Sequence, residues 1–195
     1  MFLLKEAYDS SSRKDEGLYA WDEAEWVKSH KEGSNIKDIT YRRIYQWVNA
    51  LLYPDRHFNS CGKAKWGDTF DKIAIVNVKK TNGVYPSDDK DLKNNIDRNG
   101  DKLLKQIKMI NPDVIVCGYT CWLLDKALNK AGKKTVRAKK NSLRFYRTAD
   151  LCDKEIIVID FWHPAYRKKD EWLYQSLQES YNLRKSVEII SELNG

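Results

Sequence analysis

Cysteine is scarce and scattered. Four residues, Cys61, Cys117, Cys121 and Cys152, are too few for a disulfide framework in a chain of 195 residues. Three residues separate Cys117 from Cys121 and the other two lie far away in sequence, so reduced, partly buried thiols are expected rather than a metal site. Glycine (9) and proline (4) are thin and dispersed, which leaves no linker, repeat or low-complexity tract and points to one domain over residues 1–195. No run approaches the roughly 18 apolar residues that a membrane helix needs, and the opening MFLLKEAY turns charged at Lys5, too early for a secretory segment. A cytoplasmic protein with no membrane partner is the expectation. Any glycine-rich phosphate loop of the type G-x-G-x-x-G or G-x-x-x-x-G-K-[ST] is also missing, which weighs against a nucleotide-metabolising enzyme.

What is present is a foldable, basic chain. Hydrophobic residues make up 42% and aromatics 12%, enough to bury a core although 32% of residues are charged. Lys plus Arg number 35 against 28 acids, a formal charge of +7 that favours a polyanionic partner if it is concentrated. One stretch concentrates it. From Lys133 to Arg147 stand seven cations (Lys133, Lys134, Arg137, Lys139, Lys140, Arg144, Arg147) and no acid, with Phe145 and Tyr146 between them. The pattern fits a basic hairpin or loop at a DNA edge, or a plain solvated face.

Four continuous apolar runs, at residues 1–4, 72–78, 113–118 and 155–161, predict strands buried on both faces, as in a parallel sheet. Between them the period becomes helical. Ile39, Ile44, Trp47, Val48, Leu51 and Leu52 form one stripe, with Asp38 placed to cap it and Pro54 to end it. Leu92, Ile96, Leu103, Ile107 and Ile110 form a second, opened by Ser87, Asp88 and Asp89, with Gly100 either bending it or splitting it in two. A short helix follows at Trp122, Leu123, Ala127 and Leu128, closed by Gly132, and a last one runs over 169–193. The fold class predicted is α/β, three layers in α/β/α order around a central, mainly parallel four-stranded sheet. The segment 54–70, with Cys61 and Trp66, reads as a lid or connection, and His30 and His57 as surface residues.

In such folds ligands lie beyond the carboxyl ends of the strands. Those ends deliver Lys5, Glu6, Tyr8 and Asp9; then Asn77, Lys79 and Lys80; then Gly118, Tyr119 and Thr120; and finally Trp162, His163, Pro164, Ala165 and Tyr166. With these residues in view, IAIVNVKKTNG, LLKQIKMINPDVIVCG, HPAY and the opening FLLKEAYDSS, taken in order, resemble the uracil-DNA glycosylase superfamily. The likeness is greatest to its Fe–S-containing thermophile-type branch, which has an Asn-Val-x-Lys strand end, a Pro-x-x-Ile-Val-x-x-Gly strand and His-Pro-Ala-Tyr. The first motif there reads Gly-Glu-Ala-Pro-Gly.

The resemblance implies a glycosylase-like domain that flips a uracil or modified pyrimidine out of single- or double-stranded DNA and hydrolyses its N-glycosidic bond, acting as a monomer in repair or in defence against phage with modified DNA. Asn77 takes the place of the base-reading amide, whose donor and acceptor can grip a Watson–Crick edge. His163 takes that of the histidine stabilising charge on the leaving base. Glu6, with Asp9 in reserve, takes that of the carboxylate that positions water. Tyr8 falls in the first motif, and Tyr19 or Trp21 stands where the superfamily stacks an aromatic on the base. Lys79, Lys80, Arg137, Lys139, Lys140 and Arg144 become DNA contacts, and Tyr166 or Arg167 fills the gap left by the flipped nucleotide while Lys168 and Lys169 touch phosphate. Departures narrow the match: Lys5 replaces the motif's first glycine, Tyr8 its proline, and Thr81 a cluster cysteine. No Fe–S cluster, metal or organic cofactor is therefore expected.

Overall fold

Each of the four apolar runs forms a strand, and the basic stretch adds two more. A computed structural model of the protein describes residues 1–5, 27, 29–80, 87–133, 136–140, 143–148, 151–152 and 154–192. The strands are β1 (Phe2–Leu4), β2 (Ile75–Asn77), β3 (Val114–Gly118), β4 (Val136–Lys140), β5 (Leu143–Thr148) and β6 (Ile156–Phe161). The helices are α1 (Ile39–Leu52), the single turn α2 (Asp68–Asp71), α3 (Asp89–Ile110), α4 (Cys121–Lys130) and α5 (Asp170–Glu192).

The sheet runs in the order β2-β1-β3-β6-β5-β4. Its first four strands are parallel, the expected central sheet, while β5 joins β6 and β4 joins β5 antiparallel. Side chains alternate between the two faces of the parallel strands, and both faces are covered. Leu3, Val76, Ile115, Cys117, Ile156 and Val158 pack under α3 and α4, against Leu92, Ile96, Ile107, Leu123 and Leu128. Phe2, Leu4, Val116, Ile159 and Phe161 pack under α1 and α5, against Ile44, Trp47, Leu173 and Leu177. This two-sided burial explains the unbroken apolar runs and makes the architecture a three-layer α/β/α fold. Trp47 anchors the second layer: it is fully buried, with ring centroids 6.3 Å from Phe2 and 5.0 Å from Phe161. Burial of a large apolar side chain contributes roughly 1.5–3 kcal/mol.

Local chemistry sets the helix ends. The Asp38 carboxylate accepts from the amides of Thr40 and Tyr41 at the start of α1, and Asp88 accepts from Lys90 N–H at the start of α3. Asn111 closes α3 in the left-handed conformation at φ 49°. Helix α3 continues unbroken through Gly100, so of the two alternatives, a bend or a split, the split is absent. A Cβ there would lie 3.3 Å from Ala127 Cβ, and the residue serves instead to bring α3 close to α4.

Segment 54–70 is not a lid. Cys61, Ala64, Trp66 and Phe70 are buried, and Trp66 stacks at 4.4 Å on His30, which is half-buried rather than a free surface residue; His57 is exposed. Among the described residues no helix is long and apolar enough to cross a membrane.

Candidate functional site

The chain leaves β1 for β2 on one side and then returns to β3 on the other, so the strand order reverses between β1 and β3. A crevice at the carboxyl ends there is the position at which open α/β sheets bind ligands. Register aligns that rim. Leu4 stands opposite Asn77, Leu3 opposite Cys117, and Gly118 opposite Phe161, so the residues after β1, β3 and β6 emerge level with the half-buried Asn77.

His163 reaches the rim from two residues beyond β6 and leans back over β3. A Cβ on Gly118 would lie 3.6 Å from His163 Cα, 3.3 Å from Pro164 Cδ and only 2.8 Å from Leu4 Cδ2. Glycine spares Leu4 and Pro164 the crowding that a side chain would bring, while the distance to His163 is an ordinary contact. Because His163 lies above β3, about two strand spacings, roughly 10 Å, separate its backbone from that of Asn77, with the end of β1 between them.

The state of the imidazole follows from its surroundings. Burial, reinforced by the Lys5 cation, lowers the His163 pKa from 6.5 to about 4. The ring is therefore neutral at physiological pH. Ala165 N–H donates to His163 Nδ1 at 3.1 Å, which makes Nδ1 an acceptor and places the ring proton on Nε2. His163 is thus set up as a hydrogen-bond donor without positive charge.

Lys5 occupies the middle of the rim, between Asn77 and His163. Its backbone continues the ladder by accepting from Lys79 N–H at 3.0 Å. The Lys5 ammonium lies 3.0 Å from Asp89 Oδ1 and 4.5 Å above the centre of the Tyr119 ring. Tyr119 itself has φ 61°, a left-handed conformation costing a non-glycine residue of order 1–2 kcal/mol, and its amide donates to Phe161 O at 2.8 Å. Thr120, fully buried, donates its hydroxyl to Leu3 O at 2.7 Å and ties the start of α4 to β1.

One residue of this site gave no signal in the sequence. Arg43 of α1 is only 4% exposed, and its guanidinium holds the whole segment that follows His163. Nη1 donates to Pro164 O at 2.6 Å and Tyr166 O at 2.5 Å, Nη2 donates to Lys168 O at 2.6 Å, and Nε pairs with Asp170 Oδ1 at 2.8 Å. One arginine of an Arg-Arg pair in an amphipathic helix reads as a solvated residue; only the tertiary fold reveals its four partners.

Of the residues singled out from the sequence, Asn77 and His163 both lie at this rim, on either side of the end of β1. Lys79 lies beside it but is paired with Asp91 at 2.6 Å, while Lys80 is exposed. Tyr166, Arg167 and Lys168 are exposed on the segment that Arg43 secures. The backbones of Arg137, Lys139, Lys140 and Arg144 belong to the hairpin β4–β5. Lys139 stands opposite Arg144 and Arg144 opposite Asp160, so the turn end of the hairpin lies at the same rim, beyond β6. Arg137, opposite Tyr146, sits further down the sheet. Glu6, Tyr8, Asp9, Tyr19 and Trp21 lie outside the described residues.

Comparison of the chain with protein-family models, with curated proteins and with solved structures finds no match.

Proposed function

We propose that the protein is a DNA base glycosylase, which flips a uracil or modified pyrimidine into the rim between Asn77 and His163 and hydrolyses its N-glycosidic bond. The observation that carries the proposal is His163, held neutral with its Nε2–H free to donate. As the bond from C1′ to the base nitrogen breaks, the base takes the electron pair and negative charge gathers on its carbonyl oxygen. A half-buried neutral donor stabilises that charge in the transition state without first protonating the base. The amide of Asn77 supplies a donor and an acceptor for the edge of an extruded base. Water adds to the sugar carbon as the base departs, with Glu6, the residue after Lys5, assigned to position it and accept its proton. The backbones of Lys139, Lys140 and Arg144 lie at the turn end of the hairpin, at the same edge of the sheet, and cationic residue types there suit the phosphates of the strand.

A module that holds a base without cleaving it is the second reading. The observation favouring it is Lys5, which follows β1 at the rim where the superfamily has glycine and whose ammonium is held between Asp89 and the Tyr119 ring. Turnover separates the two readings. Oligonucleotides carrying uracil, hydroxymethylcytosine or glucosylated cytosine are incubated with the protein and treated with alkali, which breaks strands at abasic sites. The proposal expects breakage on one of these bases, abolished by Asn77→Ala and by His163→Ala with DNA binding kept. Full activity in both variants would overturn it.

A further inference from the structure

We infer that the segment after His163 and the start of α5 form a stacking platform for single-stranded DNA, so that the substrate is an unpaired strand rather than an intact duplex. In assigning a target base to the adjoining rim the inference rests on the glycosylase proposal; its statement about binding stands separately.

Three aromatic rings make the surface. Trp162, next to His163, is half-buried and supports the others: Tyr166 is stacked on it at 6.3 Å with planes 28° apart, and Trp172 meets it edge-on at 4.9 Å. Tyr166 remains 44% exposed and Trp172 41% exposed. Trp162 packs against the core, edge-on to Phe161 at 5.1 Å, whereas Trp172 stands outside that cluster. An exposed cluster of large aromatics beside a functional rim points to contact with a ligand.

Charge indicates which ligand. Arg167, Lys168 and Lys169 are all exposed, and among the described residues none of them forms an ion pair. The Lys168 ammonium lies 5.4 Å from the centre of the Trp172 ring, so cation and aromatic face share one surface. The neighbouring Asp170 is neutralised by Arg42 and Arg43, which leaves Glu171 as the one exposed acid of this short stretch. Interleaved aromatics and cations are the composition that binds single strands: bases stack on the rings and phosphates meet the cations. A duplex keeps its base faces stacked inside and offers this surface only phosphates.

Rigidity completes the argument. Arg43 bonds the carbonyls of Pro164, Tyr166 and Lys168, so the segment is ordered before a strand arrives. A preordered surface loses less conformational freedom on binding than a loose one.

The test is binding without chemistry. Tryptophan fluorescence is titrated with a thymidine oligonucleotide of about 16 nucleotides, the upper site size for single-strand folds, and with the same strand in a duplex. Trp172→Ala should weaken single-strand binding roughly 5- to 150-fold, the range for one lost base–aromatic stack, and leave duplex binding within about twofold. Equal loss on both forms, or no loss, would overturn the inference. Should Trp172→Ala disturb folding, the double variant Arg167→Gln/Lys168→Gln replaces it. There the slope of log affinity against log salt for the single strand should fall by about 1.4, about 0.7 for each phosphate contact removed. An unchanged slope would equally overturn the inference. A protein that released no base could pass this test, and an active glycosylase could fail it, so the two proposals fall separately.

Discussion

Replacing Arg43 by alanine should destabilise the protein and free the segment after His163, and the size of the effect can be worked from the four bonds its guanidinium makes. The substitution leaves the carbonyls of Pro164, Tyr166 and Lys168 without their donor and leaves Asp170 with Arg42 alone, at 3.2 Å. Hydrogen bonds to a charged group are each worth about 1.5–3 kcal/mol, but they share one side chain and do not add. Removing one partner of a buried ion pair costs about 3–5 kcal/mol, and a value near 4 is expected here. For a domain of this size that lowers Tm by about 8–16 °C. Limited trypsin digestion locates the loss. If the cost falls on local opening, cleavage after Arg167, Lys168 and Lys169 should accelerate about a thousandfold, because about 1.4 kcal/mol is a factor of ten in the open population. Arg43→Lys keeps a charge for Asp170 but cannot serve three carbonyls at once, and should fall between wild type and alanine. A Tm for Arg43→Ala within about 2 °C of wild type, with trypsin resistance retained, would refute the assignment of Arg43 as the brace of this segment.

Two further outcomes follow from the rim. A His163 titration followed by NMR should give a pKa near 4, and Lys5→Met should raise it by removing the neighbouring cation; a value of 6.5 in the wild type would contradict the buried, neutral ring. The same depression makes stability pH-dependent: from about pH 6.5 down to about 4 the unfolded chain binds a proton at His163 that the folded one refuses, so stability is complete above this window, falls as pH drops through it, and loses at most about 3 kcal/mol. Gly118→Ala should cost about 1–3 kcal/mol by overpacking, since its Cβ would sit 2.8 Å from Leu4 Cδ2 and 3.3 Å from Pro164 Cδ; chemical denaturation checks it, and an unchanged stability would contradict the tight packing.

Much of the fold could be read from the chain because its central strands are buried on both faces and so lack polar interruptions, and because Asp38, Asp88 and Gly132 mark helix ends. The hairpin β4–β5 could not be assigned to the sheet in advance. Five of its eleven residues are cationic, and charge alternation at a sheet edge looks the same as that of a solvated loop. Segment 54–70 was opaque for the opposite reason: Trp66 enters the core from irregular backbone and Phe70 from a single helical turn, too short for a period to announce them. At the site, Asn77 and His163 were legible as polar residues next to apolar strands. The tautomer and low pKa of His163 depend on Ala165 N–H, on burial and on Lys5, and the brace by Arg43 spans more than a hundred residues. Contacts of that range leave no mark on local sequence.

The central claim is base release dependent on His163, and single-turnover cleavage of the base-bearing oligonucleotides by wild type and His163→Ala measures it most directly. The account predicts abasic product on one modified or deaminated pyrimidine, with the alanine variant at least about 10²–10³ slower, the loss typical of one removed transition-state donor. Abasic product formed equally fast by both proteins, or none from any substrate while DNA remains bound, would contradict it.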